Sequence, residues 1–507
     1  MKKILAMLLA ALMLCSAMSV SFAEGYDFES TVDWYEETYD VIVIGYGLAG
    51  ATAAITASDL GAKVLVTEKA PEGHEGGNSK YAGQVIVSPL ESSHDAFISY
   101  YSALMNDYPD AASPEMLEAY FEKASKNEEW MIARFNDIGQ EVDLRPFRES
   151  TGGFWNEYPE FEGAELATRV FTPGQSFSGC LYYLAADNVV ARDIDVWYEA
   201  PGVHLIQDPI SKEILGVQIE KDGELVNVRA TAGVVMAMGV FQCNPELMAT
   251  YLHNPYTTNR GGEYNDGDGI YMALEVGAQL WHMGNVAGFL WGVEAPGTTR
   301  QAGSVTPSMG ILVGSDGTRF ISETVENRHG KVNVGGRWMA MPTSDRNYII
   351  ADDAVVSTTK FSSVFSDGNV DEIESGWVIK ADTIEELAEK INVPAENLAA
   401  TVAQWNGFVD AGEDPRFERN MSSAVKIENG PFYALEIKAT QYNTQGGAKR
   451  NEKAEVLDTS NNPIPHLYSA GEFGSMFSDM YNGGSNLAEC VAYGQIAAES
   501  AVANMAK

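Results

Sequence analysis

Tyr39-Asp40-Val41-Ile42-Val43-Ile44-Gly45-Tyr46-Gly47-Leu48-Ala49-Gly50 is the stretch whose reading decides the fold. Val41 to Ile44 is an apolar run of buried-strand length, the glycines form a tight turn, and Ala51 to Leu60 reads as a helix leaving it. In such a turn Gly45 reverses the chain, Gly47 lets the backbone approach a pyrophosphate, and Gly50 lets helix and strand pack closely. The N–H groups of the helix N-terminus, with Ala49 among them, then point at the anion. After Gly61 a second strand, Val64 to Thr67, ends at Glu68, where a dinucleotide fold places the carboxylate that accepts from a ribose hydroxyl. A glycine turn alone fits a structural βαβ unit as well; with the acid at the next strand end it specifies a dinucleotide site.

At 507 residues the chain predicts two domains, and its 45% hydrophobic content is ordinary for a folded protein. Lys2 and Lys3, the apolar run Ile4 to Leu14 and the Ser21-Phe22-Ala23 pattern read as a secretory signal over 1–23, too short for a good membrane span. Bulky Leu14 before Cys15 speaks against a lipoprotein cysteine. The expected mature protein is therefore exported, outside the cytoplasmic membrane at the cell surface or in the periplasm, without stable membrane insertion. Losing two lysines moves the net charge from −38 to −40, a balance that repels nucleic acid and anionic membrane. It serves either solubility or docking to a basic electron donor. Cys180, Cys243 and Cys490 are odd in number and lack metal-ligand spacing, so neither a disulfide framework nor a metal site is expected.

The loop after Glu68 and Lys69 carries Gly76-Gly77-Asn78-Ser79 and Ala82-Gly83. With it the chain resembles the flavoprotein subunits of fumarate reductase and succinate dehydrogenase and their relatives among soluble flavocytochromes, urocanate reductases and 3-ketosteroid dehydrogenases. Further motifs follow in that family's order: Gly233 to Phe241, Asn265-Asp266-Gly267-Asp268-Gly269-Ile270, Gly317-Thr318-Arg319-Phe320-Ile321-Ser322-Glu323, and Gly483-Gly484-Ser485-Asn486-Leu487. The resemblance implies an α/β fold: a Rossmann-like FAD-binding domain built from both chain ends (24–295 and 441–507) with an inserted α+β capping domain (296–440). It implies FAD as cofactor, with Gly45, Gly47, Ala49, Gly50, Glu68, Lys69, Asn78, Ser79, Ala82, Gly83, Ile210, Ala237, Gly239, Asp268, Glu472, Ser485, Asn486 and Leu487 as its neighbours. The helix opening at Ser485 would set its positive end beside the flavin pyrimidine and stabilise the reduced anion.

Reductases of this kind need a clamp that polarises the substrate double bond and a proton donor opposite the flavin. The resemblance gives Glu323 and Arg328 as a proton relay; an ordinary capping-domain ion pair is the other reading. Where fumarate-acting members carry a carboxylate-binding histidine and arginine, this chain has Asn443 and Tyr481, and valines follow Asp352-Asp353 in place of their proton-donating arginine. Tyr481 is either the proton donor or a pocket wall, and the aromatic stretch Phe154, Trp155, Tyr158, Phe161 is core cover or substrate rim. These residues point to an FAD-dependent ene-reductase acting on an enoate, enone or aryl-acrylate rather than fumarate. A separate membrane-linked cytochrome or flavoprotein would supply electrons for anaerobic respiration. The alternatives are a 3-ketosteroid-type dehydrogenase, or a flavin electron-transfer subunit without its own substrate.

Overall fold

The computed structural model describes residues 27–505 apart from 106–109, 175–178, 254–256, 289, 295 and 299–300. The expected signal over 1–23 lies outside the described residues. Among them no helix is long and apolar enough to cross a membrane.

Val41–Ile44 and Val64–Thr67 are buried at every position, so they read as continuous apolar runs rather than alternating ones. They form the centre of a sheet whose five parallel strands lie in the order Pro463–Ser469, Glu224–Met236, Trp34–Ile44, Val64–Thr67, Asp195–Trp197. Both chain ends thus build one sheet. The strand Glu455–Leu457 runs antiparallel at one edge, and the hairpin Gly202–Gln207 with Ile214–Lys221 pairs with the first half of Glu224–Met236.

The register puts Ser469, Met236, Ile44, Thr67 and Trp197 in one row across the sheet. The parallel strands therefore end together, and Ala470, Ala237, Gly45 and Glu68 emerge at a common edge. Gly45 turns with φ 99°, and a Cβ there would stand 2.6 Å from the Ala237 carbonyl oxygen. Only glycine satisfies both conditions.

The helix Leu48–Asp59 starts directly out of the Gly47 turn, three residues earlier than its apolar pattern suggests. It packs on the C-terminal helix Ser485–Val502, which is buried on most of its circumference and accordingly apolar nearly all round. Gly494 permits the approach: a Cβ there would lie 2.8 Å from the Ala49 carbonyl oxygen and 3.0 Å from Thr52 Cβ. The helical region after residue 94 resolves into His94–Met105, Pro114–Ala124 and Asn127–Asp137. Ser113 caps the second by accepting from Met116 N–H at 3.2 Å.

A second, seven-stranded sheet is arranged around Phe432–Gln441, which pairs antiparallel with Leu290–Glu294, Asn347–Asp352 and Val378–Ala381. Thr258–Asn259 joins it in parallel. The expected division at 296 follows Leu290–Glu294, a strand that pairs with Phe432–Gln441 in this sheet. The helix Ile384–Lys390 opens at Thr383, whose side chain accepts from Glu386 N–H at 3.1 Å, and Ala395–Ala411 follows.

The helix contact at Gly494 predicts that Gly494→Val overpacks against fixed backbone and costs about 1–3 kcal/mol. Urea unfolding should show a lower midpoint with unchanged slope; an unchanged midpoint would mean the two helices are not held together there.

Candidate cofactor cleft and acid site

The common strand edge opens into a cleft of about 810 Å³ including its open mouth, lined by Gly45, Glu68, Ala237 and Ala470 from the four strand ends. Ligands of open α/β sheets bind at this carboxyl edge. Gly47 lines it too, and a Cβ there would meet no atom closer than 3.6 Å, so the backbone stands bare to whatever enters. Glu68 is fixed by two backbone donors, Tyr46 N–H and Ala70 N–H, each at 2.8 Å. Each carboxylate oxygen keeps a lone pair for a ligand hydroxyl. Lys69 straps the neighbouring loop to Asp266 at 2.5 Å and Asp268 at 2.6 Å. Burial works against its charge, but the two aspartates outweigh burial and hold the ammonium above its ordinary range.

Asn78 donates to Glu472 at 2.7 Å and accepts from Gln242 and from Gly262 N–H, tying both chain ends and the 239–265 loops to one amide. Ser79 Oγ accepts from Leu48 N–H, the first donor of the glycine-turn helix. Asn265 lines the same cleft, and its buried Nδ2 has no partner among the described residues. An open glycine, a helix N-terminus and an unspent amide donor together fit the diphosphate and ribose portions of FAD.

Of the expected cofactor neighbours, Gly45, Gly47, Ala49, Glu68, Lys69, Asn78, Ser79, Ala237, Gly239, Asp268 and Glu472 line this cleft. Gly50 does not line it; it seats the helix on Gly45, whose carbonyl oxygen lies 2.0 Å from where a Cβ would be. Ala82 and Gly83 follow the short helix Gly77–Tyr81, outside the lining. Ser485, Asn486 and Leu487 are also outside it: Ser485 Oγ pairs with Tyr101 at 2.6 Å, and Asn486 accepts from Gln445 at 2.8 Å. Ile210 is a correction. It sits exposed at a hairpin tip where its N–H donates to Asp208 at 2.7 Å, and Pro201 and Gly202, at the start of that hairpin, take the cleft position instead.

A second group of residues surrounds Tyr481. The loop 471–481 is anchored by Glu489, which accepts from Ser475 Oγ at 2.6 Å and Met476 N–H at 2.7 Å and pairs with buried Arg450. Lys331, buried, donates to the Asp479 carbonyl at 2.7 Å and to Asn285 at 2.9 Å, and burial lowers its pKa although Asp479 opposes this. So held, the Tyr481 hydroxyl lies 3.1 Å from His329 Nδ1. His329 Nε2 lies 2.7 Å from Glu157, whose same oxygen accepts from Gly483 N–H at 2.6 Å. Burial, then the charge of Glu157, pushes the Tyr481 pKa well above its ordinary value, so the phenol keeps its proton at neutral pH.

Arg328 and Glu323 do not join Tyr481 in one relay. Arg328 pairs with Glu160 at 2.7 Å and Glu326 at 2.8 Å and lies over the Tyr158 and Trp338 rings. Glu323 is spent in the second unit's core: it accepts from Leu312 N–H, Arg319 and Arg419, with Asp414 completing the cluster. That corrects the relay reading, because donors already occupy both oxygens. The histidine and glutamate that do meet the tyrosine, His329 and Glu157, carry no local pattern; the aromatic run around Glu157 was the one available signal.

The FAD binding domain family model matches residues 40–487. Similar proteins include NADH:fumarate oxidoreductase of Klebsiella pneumoniae, 28% identical across 97% of this chain and 50% of its own length. Vinyl phenol reductase of Lactiplantibacillus plantarum is 26% identical across 90% of this chain and 94% of its own. The chain thus spans about half the length of the first of these relatives and nearly all of the second. A crystal structure of 3-ketosteroid delta1-dehydrogenase from Sterolibacterium denitrificans superposes with a TM-score of 0.73 at 21% identity, covering 92% of this chain and 99% of that one.

Glu472 yields a pH-dependent prediction. Its carboxyl faces the cleft yet is enclosed by protein, and burial, opposed by Asn78 and reinforced by Glu489, raises its pKa to about 8. In the flavin-free protein the folded carboxyl keeps a proton that the unfolded chain releases above about pH 4.5. Stability from this group is therefore full below that pH and lost as pH rises through about 8. Glu472→Gln should stabilise the flavin-free protein by about 1–3 kcal/mol at pH 8 and little at pH 4.5, a figure reduced because the cleft admits water. Equal effects at both pH values in urea unfolding would refute the assignment.

Proposed function

The chain belongs to the FAD binding domain family, matched over residues 40–487, and from that premise we propose that it is an FAD-dependent reductase of an activated carbon–carbon double bond. The substrate class is an enoate, enone or aryl-acrylate less charged than fumarate. One observation carries this reading: the residue presented at the 479–484 turn is a buried, protonated phenol rather than a cation. Asn443 supports it, being buried with an amide donor that has no partner among the described residues. Two neutral donors suit a single carbonyl or carboxylate. A dianion would forgo charge-assisted bonds worth roughly 1.5–3 kcal/mol each.

When bound, reduced FAD supplies a hydride to one alkene carbon. Tyr481 supplies the proton for the other, and Asn443 orients the activating carbonyl. The loop anchors Glu489, Arg450 and Lys331 keep the phenol in one place, so little entropy remains to be lost at the reacting step. Similarity to a vinyl phenol reductase across most of both chains favours the aromatic-bearing members of that class. Export, supported by the Lys2-Lys3, Ile4–Leu14 and Ser21-Phe22-Ala23 pattern, completes the proposal, with electrons delivered by a separate membrane-linked cytochrome or flavoprotein.

Tyr481→Phe should bind FAD as the wild type does while turnover falls about 10²–10⁴-fold. The assay is anaerobic oxidation of reduced viologen by a panel of unsaturated acids and enones. Wild-type rates in the variant would remove Tyr481 from the chemistry, and rapid succinate formation from fumarate would overturn the substrate class.

A further inference from the structure

A phenol that gives up its proton each turnover needs a route by which the proton returns. Burial closes the direct one: Tyr481 is 8% exposed. The polar side-chain atom in hydrogen-bond contact with its hydroxyl is His329 Nδ1 at 3.1 Å, and the two rings also stack loosely with centroids 4.3 Å apart. The far side of the imidazole meets Glu157 at 2.7 Å, and the His329 side chain as a whole is 19% exposed, enough to meet water. His329 holds a left-handed backbone with φ 50°, a conformation that non-glycine residues adopt sparingly and that concentrates at functional sites.

We infer that His329, held by Glu157, returns the proton to Tyr481, so that the acid of this enzyme is a three-residue chain rather than a lone tyrosine. The inference rests on Tyr481 being the donor. As the substrate is protonated, the Tyr481 O–H bond breaks and a C–H bond forms at the carbon beside the one that received hydride. The phenolate oxygen then takes the Nδ1 proton of the imidazolium, leaving the neutral Nε2–H ring on Glu157, and Nδ1 regains a solvent proton when the hairpin that follows His329 lifts from the 157–160 segment between turnovers. Glu157 is suited to hold the cation: burial opposes its ionisation, but His329, the Gly483 N–H and Arg328 outweigh it and keep the carboxyl below its ordinary range. The other charged and titratable groups around the chain are Arg328, Glu160, Tyr158, Lys331 and Asp479, with Glu472 and Tyr442 on the side of the phenol.

The three residues come from different parts of the fold. Glu157 and Tyr481 belong to the dinucleotide unit, whereas His329 precedes the hairpin Lys331–Val334 and Arg337–Ala340 of the second unit. Arg328 beside it grips Glu160 at 2.7 Å. The acid is thus complete only while that hairpin rests on the 157–160 segment, which couples proton supply to closure over the substrate.

His329 and Glu157 are positioning and relay residues, so the test needs a readout beyond rate. Nitrogen-15 spectra of histidine-labelled, flavin-loaded protein report the ring tautomer, with His329→Gln identifying the resonance among seven histidines. When neutral, the wild-type ring should sit in the Nε2–H form, donating to Glu157 and accepting from Tyr481, and this preference should be lost in Glu157→Gln. An Nδ1–H ring, or one indifferent to Glu157→Gln, overturns the relay. In the viologen assay His329→Gln should lose turnover about 10²-fold with flavin content intact and recover partly with added imidazole. Wild-type turnover in His329→Gln alongside a dead Tyr481→Phe removes the relay alone; wild-type turnover in Tyr481→Phe removes the donor and the relay with it.

Discussion

The alignment of strand ends is the constraint on which the molecule depends. Because Ser469, Met236, Ile44 and Thr67 share one row, the residues that follow them reach the same edge of the sheet. A one-residue slip of Pro463–Ser469 against Glu224–Met236 would turn every side chain of that strand to the opposite face. It would also carry Ala470 and Glu472 off the cleft. The tight turn at Gly45, hemmed in by the Ala237 carbonyl, locks the ends of Trp34–Ile44 and Glu224–Met236 against each other, so a slip between those two strands is costly as well.

Around that edge the protein uses buried polar groups as fixtures. Glu489 with Arg450 pins the loop leading to Tyr481, and Asn285 joins that loop to the second unit through Phe477 and Lys331. Buried charges of this kind add little net stability, since desolvation offsets most of their attraction, but removing one partner leaves the other stranded. Their value here is positional: the proposed mechanism needs the phenol within hydrogen-bond reach of a substrate atom, which a loop free to drift would not provide.

Features encoded over short spans were legible in the sequence. The glycine turn, the acid ending Val64–Thr67 and Asp268 in its Gly-Asp-Gly context each carry their own backbone logic, and the structure puts Gly45, Gly47, Glu68 and Asp268 on the cleft. What escaped depended on distant pairing. His329 and Glu157 meet across 172 residues, and no spacing rule connects them. Glu323 looked available because its consumption by Arg419, 96 residues away, is a tertiary fact. Ile210 came from the family resemblance alone, and a resemblance does not say which end of this chain's hairpin faces the ligand.

The partnership between Leu48–Asp59 and Ser485–Val502, sealed at Gly494, has a kinetic meaning for synthesis. The first βαβ turn is made early but waits for residues 463–502 before its helix is covered and the outer parallel strand is in place. Such distant contacts slow folding and leave apolar surface open in the interval. A nascent chain arrested before residue 463 would lack one wall of the cleft, so capture of the dinucleotide waits for a segment made long after the glycine turn.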